Sequence, residues 1–304
     1  MEKKQLAGMA IDRIEKVFGK HNGYRRAHAR GVMYEAVFTA TGGAADYTTA
    51  EHLQAGETRA AVRFSHSSPN PIWTDAMSPV KGMAVQFQLP SGEITNIVGV
   101  NAPVFFAKTP ETFTEMLGLA KSLKKGRLPL PTLIKLLIKY PDSRSAIKVL
   151  RKMHAPASFV KGRYYAMHVF YFIDGEGRRT PIKYEWEPDA GVAVLSPKDA
   201  KAMGRGHFEQ ELESRLRNGP AGFRLNIIIG EPGDPTDDPT KEWPKERRKI
   251  VAGHLEIRRN RLDDEKILFD PTVMVPGIAC SEDRILAFRS LAYSISHARR
   301  TPGT

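Results

Sequence analysis

Apolar positions follow two different periods along this chain of 304 residues. In eight runs, at 32–41, 59–67, 82–89, 94–101, 163–173, 179–188, 222–230 and 249–257, β-branched and aromatic residues are enriched, and Gly, Pro or Asp stands near the ends. That composition and punctuation predict strands. Elsewhere the period is helical. Leu6, Ala10, Ile14, Val17 and Phe18 share one face of a helix predicted over 1–20. Further helices are predicted at about 110–125, 131–153, 197–217 and 281–300. The order is four strands, a helical block, two strands, a helix, two strands and a final helix. Grouped strands of this kind argue for an α+β fold over alternating βαβ units. Eight antiparallel strands can close into a barrel with flanking helices, which removes exposed edges. No internal repeat or low-complexity linker interrupts the chain. The Pro-rich stretch 230–248 has strand-like sequence on both sides and reads as a surface excursion, so 1–304 is expected to form a single domain.

Composition narrows the function classes. Charged residues make up 26% and hydrophobic residues 41%, ordinary for a globular protein. No apolar run is long enough to span a bilayer, and Asp12, Glu15 and Lys16 break any secretory apolar region near the start, so no membrane insertion is expected. Cys280 is the single cysteine, which excludes an internal disulfide and a cysteine-built metal site and fits a cytoplasmic, reducing compartment. The net charge of +12 attracts anionic ligands, acidic membranes or nucleic acid. The basic residues of 121–163 are, however, interrupted by apolar residues at helical spacing and read as the solvated face of packed helices, so no specific nucleic-acid partner is expected. Phosphate-loop spacing, a serine elbow and a paired-histidine zinc helix are all missing.

One constellation carries chemistry. In the last predicted helix Arg289 and Tyr293 are spaced i, i+4 and so share a face. A guanidinium beside a phenol favours the phenolate, an anionic oxygen ligand for ferric iron. The same spacing alone more often marks an ordinary tyrosine beside a cation. It gains weight from its company. "YRRAHARG" (24–31), "VRFSHSS" (62–68), "NIVGVNAPVFFAKTPETF" (96–113), "DPTKEWP" with the following "VAGHLEI" (238–257), "FDPTVMVPGI" (269–278) and "DRILAFRSLAYSISHARR" (283–300) occur in this order. Together they resemble the catalase family over about 20–304, and the short chain is similar to the catalase-related peroxidases of that family.

The resemblance implies a minimal haem-barrel core holding haem b. Tyr293 matches the iron-ligating tyrosinate and Arg289 its partner, on the helix 281–300. His28 matches the distal histidine and Ser65 the serine bonded to it. Arg25, Arg63 and Arg300 match the arginines that hold the haem propionates, a role suited to the planar, bidentate guanidinium. Phe113 matches the ring over the haem face.

Two departures stand out. Where the family has asparagine after the glycine of "VG", this chain has Val100, followed by Asn101. A one-residue shift in a strand reverses the side chain's face, unless a bulge intervenes. The arm, wrapping segment and helical domain of full-size catalases have no counterpart here, so no NADPH site is implied. The implied function is a haem peroxidase that reduces hydrogen peroxide or a small organic hydroperoxide with an organic electron donor, with residual catalase activity. The alternatives are a fatty-acid hydroperoxide isomerase-like haem enzyme and a non-enzymatic haem-binding protein. A homodimer is compatible with the sequence.

Overall fold

Every long strand alternates between a side chain that enters a common interior and one that leaves it. The structure is a computed structural model that describes residues 3–119, 129–262 and 267–301. Its strands are β1 (Gly31–Ala40), β2 (Gly56–His66), β3 (Lys81–Gln88), β4 (Ile94–Val100), β5 (Tyr164–Tyr165), β6 (Phe170–Ile173), β7 (Arg179–Pro188), β8 (Ala221–Ile229), β9 (Lys249–Leu262) and β10 (Ile278–Cys280). The order β7-β5-β4-β3-β2-β1-β9-β8 closes through a β7–β8 pairing into an eight-stranded antiparallel barrel, and β6 and β10 extend it beside β7. Phe38, Phe64, Phe87, Trp186 and Phe223 meet inside and are fully buried. Apolar burial at roughly 25 cal/mol per Å² makes this interior the main stabilising element of the barrel.

The predicted run 163–173 divides into β5 and β6, which pair in succession along β7. Residues 166–169 leave the ladder between them, and His168 there is bonded to Asp283. The short β10 falls outside the predicted strands.

The helices are α1 (Lys3–Phe18), α2 (Pro110–Leu119), α3 (Leu130–Lys139), α4 (Arg144–Arg151), α5 (Pro197–Ala202), α6 (His207–Asn218) and α7 (Arg284–Arg300). The predicted helix 131–153 is broken by a 3-10 turn that opens with Pro141, a residue that cannot donate a backbone hydrogen bond. The predicted helix 197–217 is broken before Gly206, whose φ of 86° is left-handed. Residues 120–125 of the predicted 110–125 helix, and residues 1–2, lie outside the described residues.

Arg63 and Ser65 stand on β2, and Arg289, Tyr293 and Arg300 on helix α7. Residues alternating with the interior set, Met33, Ala61, Ala84 and Val98, form an outer patch with Phe269. On the helical side, Leu6, Ala7 and Ala10 of α1 pack with Phe288, Leu291 and Ile295 of α7 and with Phe113 and Leu117 of α2. Asp270 ties the two sides together: its carboxylate accepts from Ser290 Oγ at 2.7 Å, and its carbonyl accepts from Asn96 Nδ2 at 2.9 Å.

Candidate active site

On β2, Val62 and Phe64 enter the barrel core, so Arg63 and Ser65 are carried by the pleat onto the outer face. The segment before β1 crosses that face. Its anchor is Arg26, only 3% exposed, which donates to Glu15 of α1 at 2.6 Å and to the Tyr24 carbonyl at 2.7 Å. Ser296 Oγ of α7 accepts from the Arg26 backbone N–H at 3.1 Å. The backbone then turns through His28, the one described non-glycine residue with positive φ, at 54°. A left-handed histidine is uncommon outside special positions.

That turn sets the imidazole against β2 and β3. His28 Nδ1 lies 2.9 Å from Ser65 Oγ, and Arg63 Nη2 donates to the His28 carbonyl at 3.2 Å. Gly82 of β3 is required beneath them, because a Cβ there would come within 2.7 Å of both the His28 ring and Ser65 Oγ. Val100 faces Gly82 in an unbroken β3–β4 register and therefore stands beside the imidazole. Asn101 is committed elsewhere: its side-chain oxygen accepts from the Lys81 N–H at 2.7 Å. The side chain after the glycine of "VG" on this face is thus an apolar one.

Burial pushes His28 down to about 3, and the Arg63, Arg289 and Arg25 cations, together with His66, push in the same direction. The imidazole is neutral across the physiological range. Arginines from three segments converge on it with no carboxylate among the dominant influences, so the site is suited to a ligand that brings negative charge. Arg25 also donates to the Ile267 carbonyl at 3.0 Å and lies over the Phe269 ring.

On α7, Arg289 Nη2 donates to the Tyr293 hydroxyl oxygen at 2.7 Å. The second terminal nitrogen, Nη1, is buried with no hydrogen-bond partner among the described residues. Arg300 is buried at the end of the same helix. Phe113 lies in an aromatic cluster with Phe105, Phe106 and Phe288, with ring centroids 5.6, 5.7 and 6.0 Å away. The structure therefore joins His28, Ser65 and Arg63 by direct contacts, joins Arg289 to Tyr293, and places Arg25 and Arg289 within electrostatic reach of His28. It gives Phe113 aromatic partners.

These features have the order and elements of one known family, and its profile matches residues 9–304 under the description Catalase. The chain belongs to the catalase family. A catalase-related peroxidase from Mycolicibacterium paratuberculosis is 33% identical over 297 residues, covering 96% of this chain and 94% of that protein. A catalase-related peroxidase from Synechococcus elongatus is 30% identical, covering 96% and 88%. A solved bacterial catalase is 25% identical with a TM-score of 0.81 over 95% of this chain and 60% of its own. The chain thus spans nearly the whole length of its catalase-related peroxidase relatives and about 60% of that catalase.

This catalase-family chain also holds groups that the sequence reading passed over. Asp283 accepts from the Ile285 and Leu286 N–H groups and so caps α7. The other oxygen of its carboxylate lies 2.6 Å from His168 Nδ1. His168 is fully buried, its Nε2 lacks a partner among the described residues, and the Arg289 charge acts on it. Asp283 thus fixes both the start of the helix that carries Tyr293 and a buried imidazole near Arg289. A capping aspartate before "RILAF" is legible in the sequence; its partner, 115 residues away, is not.

On the inner side of β2, His66 meets Glu209 at 3.1 Å and Lys81 Nζ at 2.8 Å, while Arg30 pairs with Asp75. His66, Asp75 and Glu209 could together reach one metal ion. Arg30 already pairs with both carboxylates, Asp75 and Glu209, and Lys81 Nζ is held by the Asp75 and Ser78 carbonyls, so the cluster reads as a closed polar network.

Proposed function

We propose that this chain is a haem-dependent peroxidase. In this reading residues of β2 and α7, with the segment before β1, would hold haem b, and the protein reduces hydrogen peroxide or a small organic hydroperoxide at the expense of an organic electron donor. The observation that carries the reading is the pairing of a cation-held phenol, Tyr293 with Arg289 at 2.7 Å, with a neutral, serine-anchored imidazole, His28 with Ser65 at 2.9 Å.

The residues fit the group. Haem b brings two carboxylates, and Arg25, Arg63 and Arg300 supply guanidinium groups for them. Tyr293 supplies an oxygen ligand, and a guanidinium donor on that oxygen stabilises negative charge there. The buried, unpartnered Nη1 of Arg289 marks a site with hydrogen-bonding capacity to spare. A bound haem would supply the redox chemistry that couples peroxide reduction to donor oxidation.

The chain's own groups manage the protons. His28, neutral because burial and neighbouring cations hold it at about 3, takes the proton from one peroxide oxygen and delivers it to the departing oxygen. Ser65 is a positioning residue: it bonds Nδ1 and so leaves Nε2 for substrate. The O–O bond breaks, and the hydroperoxide becomes an alcohol and water, or two waters from hydrogen peroxide. Two electrons and two protons come from the donor. Val100 offers no hydrogen bond beside His28, so a second peroxide is poorly oriented as a reductant. Peroxidase turnover therefore dominates and catalase activity is residual.

The test is product analysis on haem-reconstituted protein supplied with peroxide with and without an organic donor. Donor-dependent oxidation exceeding oxygen release, abolished in His28→Ala, supports the proposal. Fast oxygen release without donor overturns the peroxidase emphasis. Donor-free rearrangement of a lipid hydroperoxide replaces it with an isomerase, and loss of neither activity in His28→Ala removes His28 from the chemistry.

A further inference from the structure

The α3–α4 hairpin presents a surface that the site does not use. Leu130, Ile134 and Ile138 stand at i, i+4 and i+8 of α3 and are 63%, 48% and 70% exposed. Exposed apolar residues scattered singly need no explanation, but three on one short helix face do. Ile134 and Ile138 line an open groove of about 670 Å³, whose other apolar lining is Leu137 and Ile147. Every charged residue lining that groove is a cation: Arg144, Lys148, Arg151 and Lys152. All four are exposed, as are Lys135 and Lys139 of α3. Asp142 is the exposed carboxylate of the intervening turn, and Glu115 engages Lys139 at 2.8 Å. The opposite face of α3 is satisfied, because Leu136 is buried against Ala107 and Met116 beside Phe105, Phe106 and Phe113.

We infer that this hairpin docks the protein on a bilayer surface that carries anionic lipids. The apolar knobs point outward, as they do in a helix lying in the plane of a membrane interface with its apolar side in the acyl boundary. The flanking lysines and arginines match anionic headgroups, each cation strengthening attachment by about fivefold near such a surface. Charge decides against a second copy of the chain as occupant, since two such faces would bring like cations together. α3 has 10 residues, and no described helix is long and apolar enough to cross a membrane, so attachment is peripheral. The inference is independent of the reaction proposed above.

Co-sedimentation of the full chain with vesicles tests it. The protein pellets with phosphatidylcholine vesicles containing phosphatidylglycerol, stays in solution with phosphatidylcholine alone, and is released by high salt. Ile134→Glu with Ile138→Glu lowers the partition coefficient by about tenfold or more with an unchanged melting temperature, because both side chains are exposed. Lys148→Glu with Arg151→Glu does the same by charge alone. Wild-type protein that ignores anionic vesicles overturns the inference, as does a pair of variants that partition like wild type. A glutamate variant that changes the mass measured by light scattering assigns the face to self-association instead. Binding of a monomeric fatty acid without vesicle binding assigns it to a single amphiphile.

Discussion

Gly82→Ala is the sharpest local perturbation of the proposed site. An added Cβ would come within 2.7 Å of His28 Cε1 and Nδ1 and of Ser65 Oγ, whereas ordinary contact begins at 3.4 Å. The ring and the serine must therefore retreat by about 0.7 Å, and the ring cannot carry its backbone with it. The neighbouring Ala29 N–H is bonded to the Ser68 carbonyl at 3.1 Å, and His28 itself already holds a φ of 54°. Misplacing a catalytic group by about 1 Å costs roughly 10²-fold in rate. Over-packing costs roughly 1–3 kcal/mol of stability. The expected outcome is a fall of about 10²-fold in the second-order rate of peroxide with haem-reconstituted protein, read by stopped-flow absorbance, with the haem retained. On a His28→Ala background the same substitution should cost little, since the ring it displaces is gone. A Gly82→Ala protein that reacts within about twofold of wild type would refute the placement of His28, as would an undiminished penalty on the His28→Ala background.

Val100→Asn places a hydrogen-bonding side chain beside His28 and should raise oxygen release relative to donor oxidation by about 10²-fold, on the scale of one donor in a reacting site; an unchanged ratio contradicts the role given to Val100. Asp283→Ala removes the α7 cap and strands His168, so it should lower unfolding free energy in urea by about 2–4 kcal/mol, and a loss below about 1 kcal/mol contradicts that pairing. His52 is buried with neither ring nitrogen bonded among the described residues, and burial pushes it from 6.5 down to about 4. Its folded value lies below its unfolded one, so its contribution is complete above pH 6.5 and is lost as pH falls toward 4, by about 3 kcal/mol at most. His52→Leu should flatten that acid-side decline in denaturant titrations at a series of pH values, and an identical decline in variant and wild type contradicts the assignment.

The barrel is legible in the sequence because each long strand must send alternate residues such as Val62 and Phe64, or Val85 and Phe87, into one interior. Local pattern fails where a distant partner decides. His168 sits within an aromatic run that reads as one strand, yet its bond to Asp283 takes that stretch out of the ladder. The helix breaks at Pro141 and Gly206 were signalled by those residues and masked by the apolar periodicity around them. At the site, the residue types and their order were readable, but which of Val100 and Asn101 faces the imidazole depends on register. The unbroken Gly82–Val100 pairing and the bond from Lys81 to Asn101 decide it. Arg26 shows the converse: it sits beside Arg25 in the sequence, yet its burial against Glu15 makes it the anchor of the segment.

The absorption spectrum of haem-reconstituted protein, recorded before and after hydrogen peroxide for wild type and Tyr293→Phe, tests the central claim most directly. The account predicts a stoichiometric high-spin ferric spectrum of phenolate type in wild type, changed by peroxide and restored by donor, and its loss in Tyr293→Phe. No stoichiometric haem band in wild type, or the same spectrum in both proteins, would contradict it.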